Sequence, residues 1–231
     1  MPWFIWKGKN SYGDHRIWIN KLPPIVKAQE RTKEVKIPGR AGAVTLLEGE
    51  DVYEPVLKKC TITVTNDRDI QQILEWLRGE SQVVFSNEPE RVYFARIAAE
   101  VSFARISPDL QQAQVVFYCQ PLKGKRYPQA DTVAFGASGT MCNPGDVASR
   151  PKVTITATGT ATVTIGEMTM YFTTAIDGVI VVDCEAQIIT KNGALWTGTS
   201  VGDFFRIPKG TVNIAFTGAS VVTIEPRWRW V

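Results

Sequence analysis

The chain has 231 residues, 44% of them hydrophobic and 21% charged, with 26 basic against 23 acidic side chains. That balance fits one large or two small globular domains and excludes both a disordered chain and the strongly basic field of a nucleic-acid binder. The longest apolar stretches, such as Val179 to Val182, fall far short of the roughly 18 residues that cross a bilayer, so no transmembrane helix is expected. The apolar first six residues run straight into Lys7, Lys9, Asp14 and Arg16 without a basic leader or small-residue cleavage site, so no export signal is read.

The first clear element is a strand, because Val56, Lys58, Cys60, Ile62 and Val64 alternate with Leu57, Lys59, Thr61 and Thr63. A helix follows: Ile70, Ile73, Leu74 and Leu77 stand at i, i+3, i+4 and i+7, Asn66 is placed to cap it, and Gly79 ends it. Its apolar stripe needs a sheet to cover. Gln82 to Ser86 and Arg91 to Ile97 flank the polar turn Asn87-Glu88-Pro89-Glu90 and read as a hairpin, with further strands at Val101 to Ile106 and Gln114 to Gln120.

Near residue 130 the composition changes: residues 1–130 hold 34 charged residues and 5 threonines, residues 131–231 hold 15 and 17. The Gly-, Pro- and Ser-rich stretch of about 121–150 reads as a linker. The boundary separates a β-rich α+β domain (1–130) from an all-β domain (131–231). In the latter, strands are expected at Lys152 to Thr158, Ala161 to Ile165, Met168 to Thr173, Val179 to Asp183, Ala186 to Thr190, Thr211 to Phe216 and Val221 to Pro226. Turn signals at Thr158-Gly159-Thr160, Asp177-Gly178, Asn192-Gly193 and Thr217-Gly218-Ala219 separate most of them, as in a jelly-roll-like antiparallel sandwich.

Chemistry-bearing motifs are scarce. There is no nucleophile elbow, phosphate loop, dinucleotide fingerprint or glycosylation sequon. The single histidine, His15, excludes a two-histidine metal site and is read as a surface or interface residue. Cys60, Cys119, Cys142 and Cys184 lack any C-x-x-C pair and are read as free thiols. Asp183 and Glu185, two apart on an expected strand, would point to one face roughly 7 Å apart, within the carboxylate separation of inverting glycosidases. Their position beside a hairpin turn favours plain solvated acids. Glu48, Glu50, Asp51 and Glu54 surround Gly49 but lack calcium-loop order, which favours a solvated loop. Trp228 and Trp230 alternate with Arg227 and Arg229; either the indoles stack on sugar, or they close a core while the arginines face water, the preferred reading.

Several segments resemble the distal tail proteins of phages with long, flexible, non-contractile tails. The carriers are Val35-Lys36-Ile37-Pro38-Gly39-Arg40-Ala41-Gly42, then Asp69-Ile70, Glu75-Trp76-Leu77-Arg78-Gly79 and Val84-Phe85-Ser86-Asn87-Glu88-Pro89 with Tyr93 and Ala95. Cys119-Gln120-Pro121, Asn143-Pro144-Gly145, Ser149-Arg150-Pro151, Asp183-Cys184-Glu185 and Ile207-Pro208-Lys209-Gly210 complete the series. The chain is similar to a short form lacking long carbohydrate-binding insertions, although Ala41 stands where an acidic residue is common in that family.

The resemblance implies a mainly β fold: a ring-forming N-terminal domain, β-sandwich or split-barrel-like with one helix, followed by a galectin-like β-sandwich. It implies a structural hub, not an enzyme, without cofactor or metal: a homohexameric ring at the distal end of a virion tail, made in the host cytoplasm. Partners would be the tail-tube protein, the tape-measure protein and a tail tip, fibre or receptor-binding protein. Neither specific nucleic-acid binding nor membrane insertion is implied. Trp3, Trp6, Pro38, Gly39, Arg40 and Gly42 become candidate subunit contacts, the last four as a loop that projects into a neighbour or the ring lumen. The alternative is a carbohydrate-binding or glycan-cleaving tail protein using Asp183, Glu185, Trp228 and Trp230.

Overall fold

A computed structural model describes residues 1–231 and separates into two compact units, Met1–Arg126 with Val231, and Tyr127–Trp230. Both are mainly β.

The first unit contains β1 (Phe4–Trp6), β2 (Lys9–Asn10), β3 (Trp18–Lys21), β4 (Thr32–Val35), β5 (Val44–Leu47), β6 (Val56–Thr65), α1 (Ile70–Leu77), β7 (Glu80–Phe85), β8 (Arg91–Ile97), β9 (Ala104–Ser107), β10 (Leu110–Cys119) and β11 (Lys123–Lys125). Its main antiparallel sheet runs β2-β1-β7-β8-β10-β6-β3, with β9 added to β10 and β11 to β8. The period-two pattern turns Cys60, Ile62 and Val64 of β6 and Ala113, Val115 and Phe117 of β10 to one buried face. Helix α1 covers that face with Ile73, Trp76 and Leu77. Phe4 stacks on Trp76 at 5.6 Å, and Phe117 meets Phe4 and Trp6 edge-on. The Trp6 and Trp76 indoles each donate to the other's backbone carbonyl, at 3.0 and 3.1 Å, so neither N–H is stranded in the core.

The helix is capped by Asp69, whose carboxylate accepts from the Gln71 and Gln72 amides; Asn66, the expected cap, does other work. Its side-chain amide donates to Pro108 O and its backbone amide to Asp109 O, tying the end of β6 to the β9–β10 turn. Gly79 sits at φ +85°, the left-handed conformation that stops the helix.

The second unit begins with a 3₁₀ turn, Pro128–Asp131, followed by β12 (Val133–Phe135), β13 (Gly139–Asn143), β14 (Lys152–Ile165), β15 (Met168–Phe172), β16 (Gly178–Asp183), β17 (Ile188–Lys191), β18 (Ala194–Leu195), β19 (Ser200–Val201) and β20 (Gly210–Glu225). The stretch 121–150 is therefore not a plain linker: it supplies two strands that pair with β20.

A second expectation is also overturned. The glycine turns at 159 and 218 do not reverse the chain; they bend two long strands, β14 and β20, that sequence patterning splits into four. Register on one side of the bend runs Val153↔Ile224 to Ala157↔Ala219, and resumes beyond it at Thr162↔Thr217. Before the bend β14 pairs with β16, after it with β15, so each long strand serves two layers. Gly159 and Gly218 lie at φ +95° and +74°, and a Cβ on Gly218 would sit 2.2 Å from Thr160 O. Side-chain alternation survives the corner, so Val153, Ile155, Ala157, Ala161, Val163 and Ile165 all point into one core with Val212, Ile214, Val222 and Ile224.

Candidate functional site

Residues 29–54 of the first unit form a long two-stranded arm. Strands β4 and β5 pair from Thr32↔Leu47 to Val35↔Val44 and with no other strand. The pairing extends toward the root through Arg31 N to Val52 O (2.9 Å), Glu48 N to Arg31 O (3.1 Å) and Glu54 N to Gln29 O (2.7 Å). At the tip, Pro38-Gly39-Arg40-Ala41-Gly42 is entirely exposed; the Arg40 amide donates to Ile37 O, and Gly39 and Gly42 take φ +79° and +83°. These are conformations that glycine adopts without strain. Ile37, Leu46 and Leu47 are exposed, Leu47 at 64%. A lone two-stranded hairpin is marginal in water, so this arm has unpaired edges and uncovered apolar side chains.

A buried charge cluster fixes the root of the arm. Lys58 on β6, 1% exposed, donates to Pro24 O at 3.1 Å and lies 3.6 Å from Glu88. Glu88, in the β7–β8 turn, also receives Lys123 at 3.2 Å and the Tyr93 hydroxyl, while neighbouring Asn87 donates to Pro23 O at 2.9 Å. Lys58 Nζ stands 4.5 Å from the centre of the Tyr93 ring. Burial lowers the Lys58 pKa despite the attraction of Glu88. For Glu88, burial pushes upward, but the Tyr93 hydrogen bond and the two lysines win and hold the carboxyl below its usual range. The chain entering the arm at Pro23-Pro24 is thereby pinned to the sheet.

The remaining candidates are scattered. Trp3 is half-buried; its amide donates to Ser86 Oγ, and the Arg126 guanidinium lies 5.9 Å from its ring. Trp6, expected at a subunit contact, is fully buried in the core of its own unit and has no surface to offer. Asp183 ends β16, and Glu185 lies in the turn beyond it. The arginines of the C-terminal alternation do not face water: Arg227 grips Asp183 with two bonds of 2.9 Å, and Arg229 reaches Glu185 at 2.5 Å. Burial pushes the Asp183 carboxyl upward, but the Arg227 hydrogen bonds and the Ala186 and Glu185 amides hold it below its ordinary value. Trp228 is 6% exposed within the sandwich core, and Trp230 packs against that core from outside. Neither a free carboxylate pair nor an open stacking face results.

His15 stacks on Trp76 at 4.1 Å, and burial, reinforced by Lys9, lowers its pKa. Cys60, Cys119 and Cys184 are buried, each thiol pushed up to about 12 by desolvation. No three His, Cys, Asp or Glu side chains gather where they could hold a metal ion. Around Gly49, Arg31 bridges Glu54 (2.9 Å) and Glu48 (3.9 Å), so a cation already occupies the acidic loop.

No family model matches the sequence, and no curated protein is significantly similar to it. Among solved structures, the crystal structure of the Dit protein of phage SPP1 aligns with a TM-score of 0.74, covering 100% of both chains at 14% sequence identity. That protein is described as a paradigm of the hub adsorption apparatus in phages infecting Gram-positive bacteria. The chain has the Dit fold. The correspondence runs through both units of that fold, although six residues in seven differ.

Proposed function

We propose that the protein is the distal tail hub of a bacteriophage virion, a structural component that closes into a homohexameric ring between the tail tube and the host-recognition apparatus. The full-length Dit fold carries this reading: a shared domain alone would leave function open, whereas here both units correspond along their whole length. The arm supports it, since unpaired strand edges and exposed Leu46 and Leu47 suit an element completed by a neighbour.

In this reading the N-terminal unit (1–130 in the sequence-based division) builds the ring, and the C-terminal unit (131–231) is a galectin-like sandwich. Trp3 and the Pro38–Gly42 loop remain candidate subunit contacts, and Trp6 does not. The tail-tube protein docks above, a tip, fibre or receptor-binding protein below, and the tape-measure protein and DNA pass through the hole. Passage needs no specific DNA affinity, consistent with a net charge of only +3.

Light scattering with negative-stain imaging across a concentration and salt series tests this directly. The expected result is a species of six times 25.6 kDa that images as a ring with a central hole. A monomer at every concentration that also forms no ring beside tail-tube protein would overturn it.

A further inference from the structure

We infer that the 29–54 arm is an assembly arm whose basic tip seats on the acidic base of the same arm in the next copy of this chain. The inference rests on the ring reading and adds which surfaces meet. Charge is segregated along the arm. Between residues 32 and 46 it carries Lys33, Lys36 and Arg40 against the single carboxylate Glu34, and none of the three cations has an acidic partner. Toward the root it carries Glu30, Glu48, Glu50, Asp51 and Glu54 against Arg31 alone, whose guanidinium is shared between Glu48 and Glu54.

Lys33 stands two residues from Arg31 and about 7 Å from the root acids, but Lys36 and Arg40 cannot be neutralised by them within one arm. From Arg31 to Lys36 is five residues of extended chain, roughly 16 Å at about 3.3 Å per residue, and Arg40 lies further out. That exceeds the screening length of about 10 Å at 0.1 M salt. A neighbour's tip can close that gap. The contact has area as well as charge, because Ile37 at the tip and Leu46 and Leu47 nearer the base are uncovered. Tip on base joins two different surfaces, so repetition generates a ring or filament, whereas two arms lying antiparallel would stop at a dimer.

Ala41→Cys and Leu47→Cys, placed together in the full chain on a Cys142→Ser background, put a thiol at each end of the contact and keep every charge. A short bismaleimide is the probe. The expected product is a covalent ladder of up to six copies, sensitive to salt and absent from either single-cysteine chain. Products ending at the dimer, or no excess over the single-cysteine chains, overturn the inference. Unmodified protein is imaged in parallel: rings without the ladder leave the hub reading standing and remove the arm contact, and a ladder without closed rings does the reverse. Charge reversal supplies a second arm of the test. Arg40→Glu is expected to weaken association about tenfold and Glu50→Lys to restore it in the double variant; equal association of all three would refute the pairing.

Discussion

Glu88→Gln isolates the energetic role of the cluster at the root of the arm. The substitution preserves shape and leaves an oxygen for the Tyr93 hydroxyl, but removes the carboxylate facing Lys58 and Lys123. Breaking a buried pair by deleting one partner costs about 3–5 kcal/mol. Here the side chains of Lys58 and Glu88 are 1% and 10% exposed, so solvent screening offers little relief. Lys58 keeps the Pro24 carbonyl and the Tyr93 ring, which places the expected loss near the lower end, about 3 kcal/mol. For a unit of this size that lowers the melting temperature by about 10 °C.

The same cluster has a signed pH dependence. Glu88 titrates lower in the folded than in the unfolded chain, so its stabilisation is present above the ordinary value of 4.5 and disappears as pH falls through the folded value. Lys58 also titrates lower when folded, so between its lowered folded value and 10.5 the unfolded chain holds more protons and stability rises with pH across that interval. Urea melts from pH 3 to pH 10 measure both, and Glu88→Gln should flatten the acid limb. Adding Lys58→Met, which removes the stranded cation, should recover part of the loss. A single variant within 1 kcal/mol of the parent, or a double variant no more stable than the single, would refute this account.

At the sandwich corner, Gly218→Ala should cost at least about 2 kcal/mol, since it adds a clash with Thr160 O to a left-handed backbone. Gly193→Ala, also at positive φ but with nothing within 4 Å, should cost only about 1 kcal/mol; equal effects in thermal melts would mean the close approach is unimportant. A thiol reagent should modify Cys142 rapidly in native protein and reach Cys60, Cys119 and Cys184 only on unfolding. Peptide mapping that found a second fast site would contradict their burial.

What could be read from sequence follows how local each determinant is. Strand β6, helix α1 and the β7–β8 hairpin are written in contiguous periodicity and turn residues. Strands β1 to β3 are two to four residues long, too short for any period to emerge, and their tryptophans look the same whether they serve a core or an interface. Asn66 and Asp69 are equally good caps by type; only the distant β9–β10 turn, which occupies Asn66, decides between them. Glycines 159 and 218 were legible as positive-φ positions, but whether the chain reverses or bends there depends on the partner strand. The Asp183–Arg227 and Glu185–Arg229 pairs join residues 44 apart. Both halves are visible separately, but nothing local announces a partner so remote: Asp183 is part-buried against Arg227, while Glu185 stays half exposed, as a solvated acid would.

Hydrogen exchange connects the arm's energetics to its use. Its ladder from residue 29 to residue 54 is anchored at one end, through Pro23 and Pro24, and no third strand, helix or covered apolar face holds the other. Such a segment opens locally at a small fraction of the global unfolding free energy. In dilute free protein the β4 and β5 amides should therefore exchange within seconds, while those of β8 and β10, interior in the sheet, remain protected for hours. Seating the tip on a neighbour adds contacts only to the closed arm, so ring fractions should slow exchange at residues 32–47 by at least about tenfold. Glu88→Gln should loosen the root in free protein without changing amides of the second unit. An arm equally protected in free and assembled protein would mean that its rigidity is intrinsic, and the contact with a second copy would lose its energetic basis.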